Sequence, residues 1–159
     1  MLRFVNCRPI VVLAACVALA GCGKSATKEA KPAGPKYIVV SAADCADNTG
    51  LDYEKCLTLI EGAIKEHDRS ASIYTKLTEC EKAEGSDRCD RIREKAYRAR
   101  LTAFQITMTD NPSAAPLYFN KDDKPGFRSA SIGDISPDAD SFTFTKRASD
   151  AAHLHAKKS

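Results

Sequence analysis

Histidine is scarce in this chain of 159 residues, which holds only His67, His153 and His155. No Gly-x-Ser-x-Gly elbow, His-Glu-x-x-His pair or phosphate-cradling glycine loop accompanies them, so a serine-type triad has no centre. The longest uninterrupted apolar run, Ile10 to Ala20, has eleven residues. A membrane-crossing helix needs about 20, so this run is too short to be one. Neither sign of charge dominates: 24 basic residues face 21 acidic ones, and a net charge of +3 gives no electrostatic reason to expect a nucleic-acid partner. The Cys-x-x-Cys spacing of thioredoxin-type redox centres and most structural zinc sites is also missing.

What is present begins with an address. Arg3 and Arg8 precede the apolar run, which closes on Leu19-Ala20-Gly21-Cys22, and the whole reads as a cleavable export signal over residues 1–21. Its ending resembles the lipobox of bacterial lipoproteins. That resemblance implies that Cys22 carries acyl chains, becomes the mature N-terminus and holds the protein to a membrane; several chains on one residue anchor stably where one would be marginal. Gly23 follows in place of the Asp that favours inner-membrane retention, which favours the outer membrane, facing the periplasm. Removing residues 1–21 leaves 22 basic against 21 acidic residues, so the pI near 8.4 partly reports the signal.

Cys7 and Cys16 leave with the signal and Cys22 is consumed by lipid, so four thiols remain: Cys45, Cys56, Cys80 and Cys89. In an oxidising exported compartment four cysteines form two disulfides, with three connectivities available. Local pairing, Cys45 with Cys56 and Cys80 with Cys89, ranks above the nested alternative, because Asp47-Asn48-Thr49-Gly50 and Gly85-Ser86 are turn signals inside the two short loops. The nested form, a stapled helical hairpin, stays open.

Residues 22–36 read as the lipidated cysteine and a solvated tether, with four lysines, two prolines and no large apolar side chain after Cys22. Its reach is about 20 Å. A folded domain is expected over residues 37–145, starting with the β-branched run Tyr37 to Val40 and a capping box from Ser41 to Asp44. Tyr53, Cys56, Leu57, Ile60, Ile64 and His67 recur on one face of a helix from about Asp52 to His67, where His67 reads as a helix C-terminal residue. A second helix is expected over Thr75 to Glu84. A third would start at Ser86, with Asp87–Arg91 and Glu94–Arg98 paired one turn apart to neutralise a basic face. The period then changes to two at Phe104, Ile106 and Met108, and further extended pieces begin at Pro116, Phe127 and Phe142. The expected class is α+β: a small disulfide-stapled domain of about three short helices followed by a small antiparallel sheet, with residues 146–159 a disordered tail.

The lipobox-type signal, Ser-x-x-Asp-Cys at 41–45, the Cys56 helix, Tyr74-Thr75 before Glu79-Cys80-Glu81, the Gly85 to Cys89 step, Pro116-Leu117-Tyr118 and Gly126-Phe127-Arg128 together resemble one pattern. It is that of the YgiB-like family of bacterial envelope proteins, domain of unknown function 1190. The resemblance implies an envelope location and brings no catalytic residue and no cofactor.

Function is therefore read as a non-enzymatic envelope lipoprotein that binds another envelope protein or ligand, through an aromatic region made of Tyr118, Phe119, Phe127, Phe142 and Phe144. Thiol-redox or metal handling by the four cysteines is one alternative, and an accessory role for an envelope enzyme is another. His153 and His155 offer two imidazoles, too few for a good metal site. Asp122, Asp123, Asp134, Asp138 and Asp140 lack EF-hand spacing and read as solvated turns.

Overall fold

The computed structural model describes residues 34–156 apart from Asp123. The export signal, Cys22 and most of the tether lie outside the described residues.

Strand β1 (Lys36–Val39) leads into helix α1 (Ala42–Thr49). The Ser41 hydroxyl accepts from the Asp44 N–H at 3.1 Å, while the Asp44 carboxylate accepts from the Val40 N–H at 3.0 Å, one residue before the usual reciprocal capping bond. Gly50, at φ +76°, ends α1 in the left-handed conformation. Helix α2 (Tyr53–Ser70) is capped by Asp52, which accepts from the Lys55 N–H at 2.7 Å. Its buried positions are Cys56, Ile60, Ala63 and His67. Tyr53 and Ile64, expected on that stripe, are exposed, because Ala63 takes the inward place. Helix α3 (Leu77–Glu84) follows. The disulfides are local: Cys45–Cys56 with Cα atoms 5.9 Å apart and Cys80–Cys89 at 6.2 Å.

From here the structure departs from three helices and a small sheet. Among the described residues there are four helices and eight strands, and strand is the larger part of the architecture. The expected third helix is instead a hairpin of β2 (Cys89–Arg93) and β3 (Ala96–Ala99), turning at Glu94-Lys95. Asp87 and Lys95 hold φ of +57° and +52°, which no helix accommodates. Tyr74 and Tyr97 exchange both backbone hydrogen bonds, at 2.8 and 2.9 Å, adding a third extended line. A stripe built of Cys89, Ile92 and two alanines was too weak to outweigh this pairing.

Strands β4 (Ala103–Thr107), β5 (Ser113–Phe119), β6 (Phe127–Ser129), β7 (Gly133–Ile135) and β8 (Thr143–Phe144) join β1 in a six-stranded sheet of order β7-β6-β5-β4-β1-β8. All neighbours are antiparallel except β1 and β8. One face packs Val39, Phe104 and Ile106 under α1 and α2. The other packs Ile38, Ala103, Leu117, Phe127 and Ile135 against Ala148 and Ala152.

Those two alanines belong to helix α4 (Lys146–Ala156), so the tail expected over residues 146–159 is a helix as far as Ala156. Its inward stripe is alanine, which carries little apolar signal in a sequence yet lets the helix lie close to the sheet. The Thr145 hydroxyl accepts from the Ala148 N–H at 3.1 Å and donates to Asp44 at 2.7 Å, tying α4 to α1. Because α4 covers the second face, Gln105 is buried, and the alternation at Phe104 to Met108 does not mark a half-exposed strand.

Candidate functional site

Buried polar side chains gather where the C-terminal end of α2, the end of α3 and strands β5 and β6 meet. His67, in the last turns of α2, is 2% exposed, and its Nδ1 lies 2.9 Å from the Tyr118 hydroxyl on β5. Their ring centroids are 5.5 Å apart. Arg128 on β6 is the direct cross-strand neighbour of Tyr118, and this register carries its guanidinium over the Tyr118 ring, 5.1 Å from the centroid. Arg128 also forms an ion pair with Glu84, the last residue of α3. Glu84 is 8% exposed and accepts from the Tyr74 hydroxyl at 2.7 Å through its other oxygen. Tyr74, Glu84, Arg128, Tyr118 and His67 thus form one chain of contacts drawn from the segment before α3 and four elements.

The electrostatics follow from that burial. Burial, assisted by the positive charge of Arg98, lowers the His67 pKa below its ordinary 6.5, so the ring is neutral at physiological pH. Burial raises the pKa of Tyr118, and burial together with its bond to Glu84 raises that of Tyr74, so both phenols stay protonated. Glu84 is satisfied on both oxygens, while Arg128 Nε has no hydrogen-bond partner among the described residues.

Two small clefts open beside this chain. One, of about 200 Å³, is lined by Ser70, Ala71, Ser72, Glu84, Ala99, Tyr118, Arg128 and Ala130. The second, of about 220 Å³, is lined by Glu66, Ser70, Ala115, Pro116, Tyr118 and residues 129–131. Ser70, Tyr118 and Ala130 border both. Ligand sites for whole small molecules run from about 300 to 1,000 Å³, so each cleft suits one side chain or a single small ring better than a cofactor. A larger cleft of about 390 Å³ lies between the β5–β6 connection and the segment from β7 onward, lined by Asn120, Lys124, Pro125, Asp134, Ser136 and Asp138.

Of the aromatic face expected at Tyr118, Phe119, Phe127, Phe142 and Phe144, Tyr118 and Phe127 are buried and the other three are half-buried. Phe127 is fully buried, stacked between Phe119 at 5.6 Å and Phe144 at 5.9 Å. Phe119, Phe142 and Phe144 pack against the second core cluster while staying half-buried, and Lys36 lies over the Phe142 ring. Sheet pairing turned Phe127 inward, and Tyr118 borders the two small clefts. Cys45, Cys56, Cys80 and Cys89 are buried in disulfides, and Cys22 lies outside the described residues. No group of three His, Cys, Asp or Glu residues is arranged to hold a metal among the described residues. His67 is a buried core histidine bonded to Tyr118. Glu84 and Arg128 were missed as partners, although an arginine inside the extended run from Phe127 to Ile132 was the available signal.

The family described as "Protein of unknown function (DUF1190)" matches residues 35–157, which begin at the first strand and end at the last helix. The chain belongs to the DUF1190 family. The match takes in both disulfides and every residue of the Tyr74 to His67 chain, so the DUF1190 region and the folded domain coincide. Neither a curated protein nor a solved structure matches this DUF1190 chain.

Proposed function

We propose that this protein is a lipid-anchored component of the bacterial cell envelope, held by Cys22, whose domain is a non-catalytic binding module. The observation that carries the binding reading is the pair of clefts meeting at Ser70, Tyr118 and Ala130 beside a chain of polar groups already engaged with one another. A catalytic site needs a nucleophile or base free to act on a substrate. Here His67 is committed to Tyr118, and Glu84 to Tyr74 and Arg128, so the chain fixes the shape of the clefts. The clefts are bordered by small and polar side chains, which suits a small polar group of another envelope component.

Two measurements test the two halves. Metabolic labelling with palmitate is expected to mark the protein and to fail for Cys22→Ser, with loss from the membrane fraction; an unlabelled protein rejects the anchor. A photo-crosslinking residue at Ala130 is expected to give one discrete adduct in intact cells, removed by Ser70→Arg, which fills both clefts from an exposed position. An adduct indifferent to Ser70→Arg, or none, rejects the clefts as the binding surface.

A further inference from the structure

The tip of the β2–β3 hairpin carries a charge pattern that the helical reading concealed. On a helix, Asp87 would stand one turn from Arg91 and Glu94 one turn from Arg98, and the basic residues would be neutralised. The hairpin breaks both pairs. Arg98 instead meets Asp68 of α2 at 2.6 Å and Arg100 meets Asp90 at 2.7 Å, near the base of the hairpin. Arg91, Arg93 and Lys95 are exposed at its far end and form no ion pair among the described residues. Glu94 is the single acid of the turn. Between the two arginines Ile92 stands 38% exposed, where the strand pairing slips by one residue between Arg91 and Arg93.

We infer that this tip is a docking element for an anionic phospholipid surface, with Arg91, Arg93 and Lys95 meeting the headgroups and Ile92 entering the acyl boundary. Cations flanking an exposed apolar side chain match a bilayer interface, where long basic stems lie along the apolar layer and keep their charges among phosphates. An acidic protein would use the charges and leave Ile92 without an apolar partner. The inference deepens the anchor reading: a tether with a reach of about 20 Å keeps the domain beside the bilayer, and the tip then sets which side faces it. Each basic residue near an anionic surface is worth about fivefold in affinity, so the three together contribute about a hundredfold.

The chain has no tryptophan, so Ile92→Trp creates a single fluorescent reporter. The full membrane-extracted protein with Ile92→Trp is mixed with vesicles of brominated phosphatidylcholine alone, or with phosphatidylglycerol added. The acyl chains hold the protein on either vesicle, so the tip is read as quenching at fixed lipid against the phosphatidylglycerol fraction. Quenching is expected only with the anionic vesicles, is lost in high salt, and has its docked-to-undocked ratio lowered about a hundredfold with Arg91→Gln, Arg93→Gln and Lys95→Gln combined. A control reporter, Leu154→Trp on exposed α4, is expected to stay unquenched. Equal quenching in both vesicles, insensitivity to the triple substitution, or no quenching overturns the inference, and the last outcome with binding to an acidic protein reassigns the tip. Flotation with pure phosphatidylcholine vesicles reports the acyl anchor separately, so failure of the anchor and failure of the tip are read on different lipids.

Discussion

Glu84 is where the cleft chain is most easily broken. Its carboxylate balances Arg128, and the two side chains are 11% and 17% exposed. Removing one member of a buried pair leaves the other charge uncompensated, whereas replacing both with apolar groups is far less costly. Glu84→Gln is expected to lower stability by about 3 kcal/mol, and Glu84→Gln with Arg128→Met to recover much of it, as measured by urea unfolding. His67 contributes a pH dependence of known sign. Its folded pKa lies below 6.5, so the unfolded chain binds more protons on acidification, and this part of the stability is complete above pH 6.5 and lost as pH falls through the folded value. The unfolding midpoint of the native protein is expected to fall more steeply below pH 6.5 than that of His67→Gln. At this scale the four cysteines and their pairing were legible, because short loops with turn residues favour local closure. The partners of His67 and Arg128 were not, since they lie 51 and 44 residues away in the chain and only the β5–β6 register brings Tyr118 beside Arg128.

Among the elements, α2 was legible because it has a side-chain cap and a stripe that includes a cysteine, whereas of α1 only the capping box at Ser41 to Asp44 was legible and no helix was counted there. Helix α4 was not legible. Its contact face is Ala148 and Ala152, and an alanine stripe is indistinguishable from a polar tail until a sheet is known to lie beneath it. Ala152→Glu is expected to cost about 3 kcal/mol or more by burying an unpaired carboxylate against Ile38 and Leu117, while Leu154→Glu, on a residue 62% exposed, is expected to change stability by less than about 0.5 kcal/mol in the same unfolding assay. The hairpin at 89–99 was misread for a related reason. Cysteine and alanine at helical spacing fit either period, and the deciding fact is non-local: the exchange of hydrogen bonds between Tyr74 and Tyr97.

For the molecule as a whole, the disulfides close α1 onto α2 and α3 onto β2, and neither crosses the six-stranded sheet. Replacing Cys80 and Cys89 together by alanine is expected to cost about 2.5 kcal/mol by the loop-entropy argument while leaving the sheet intact, seen as a lower unfolding midpoint with unchanged strand content by circular dichroism. The expected class of three short helices followed by a small sheet was overturned by the larger sheet, which was not legible because β6, β7 and β8 are two or three residues long and give no periodicity to read. The sheet order has a consequence for biogenesis. Its earliest strand, β1, sits inside the sheet between β4 and β8, and β8 is followed only by the helix that roofs it. A chain emerging N-terminus first can pair β1 with β4 once Thr107 has appeared, but the other edge of β1 stays open until β8 arrives some 36 residues later, so the sheet closes around its oldest strand last.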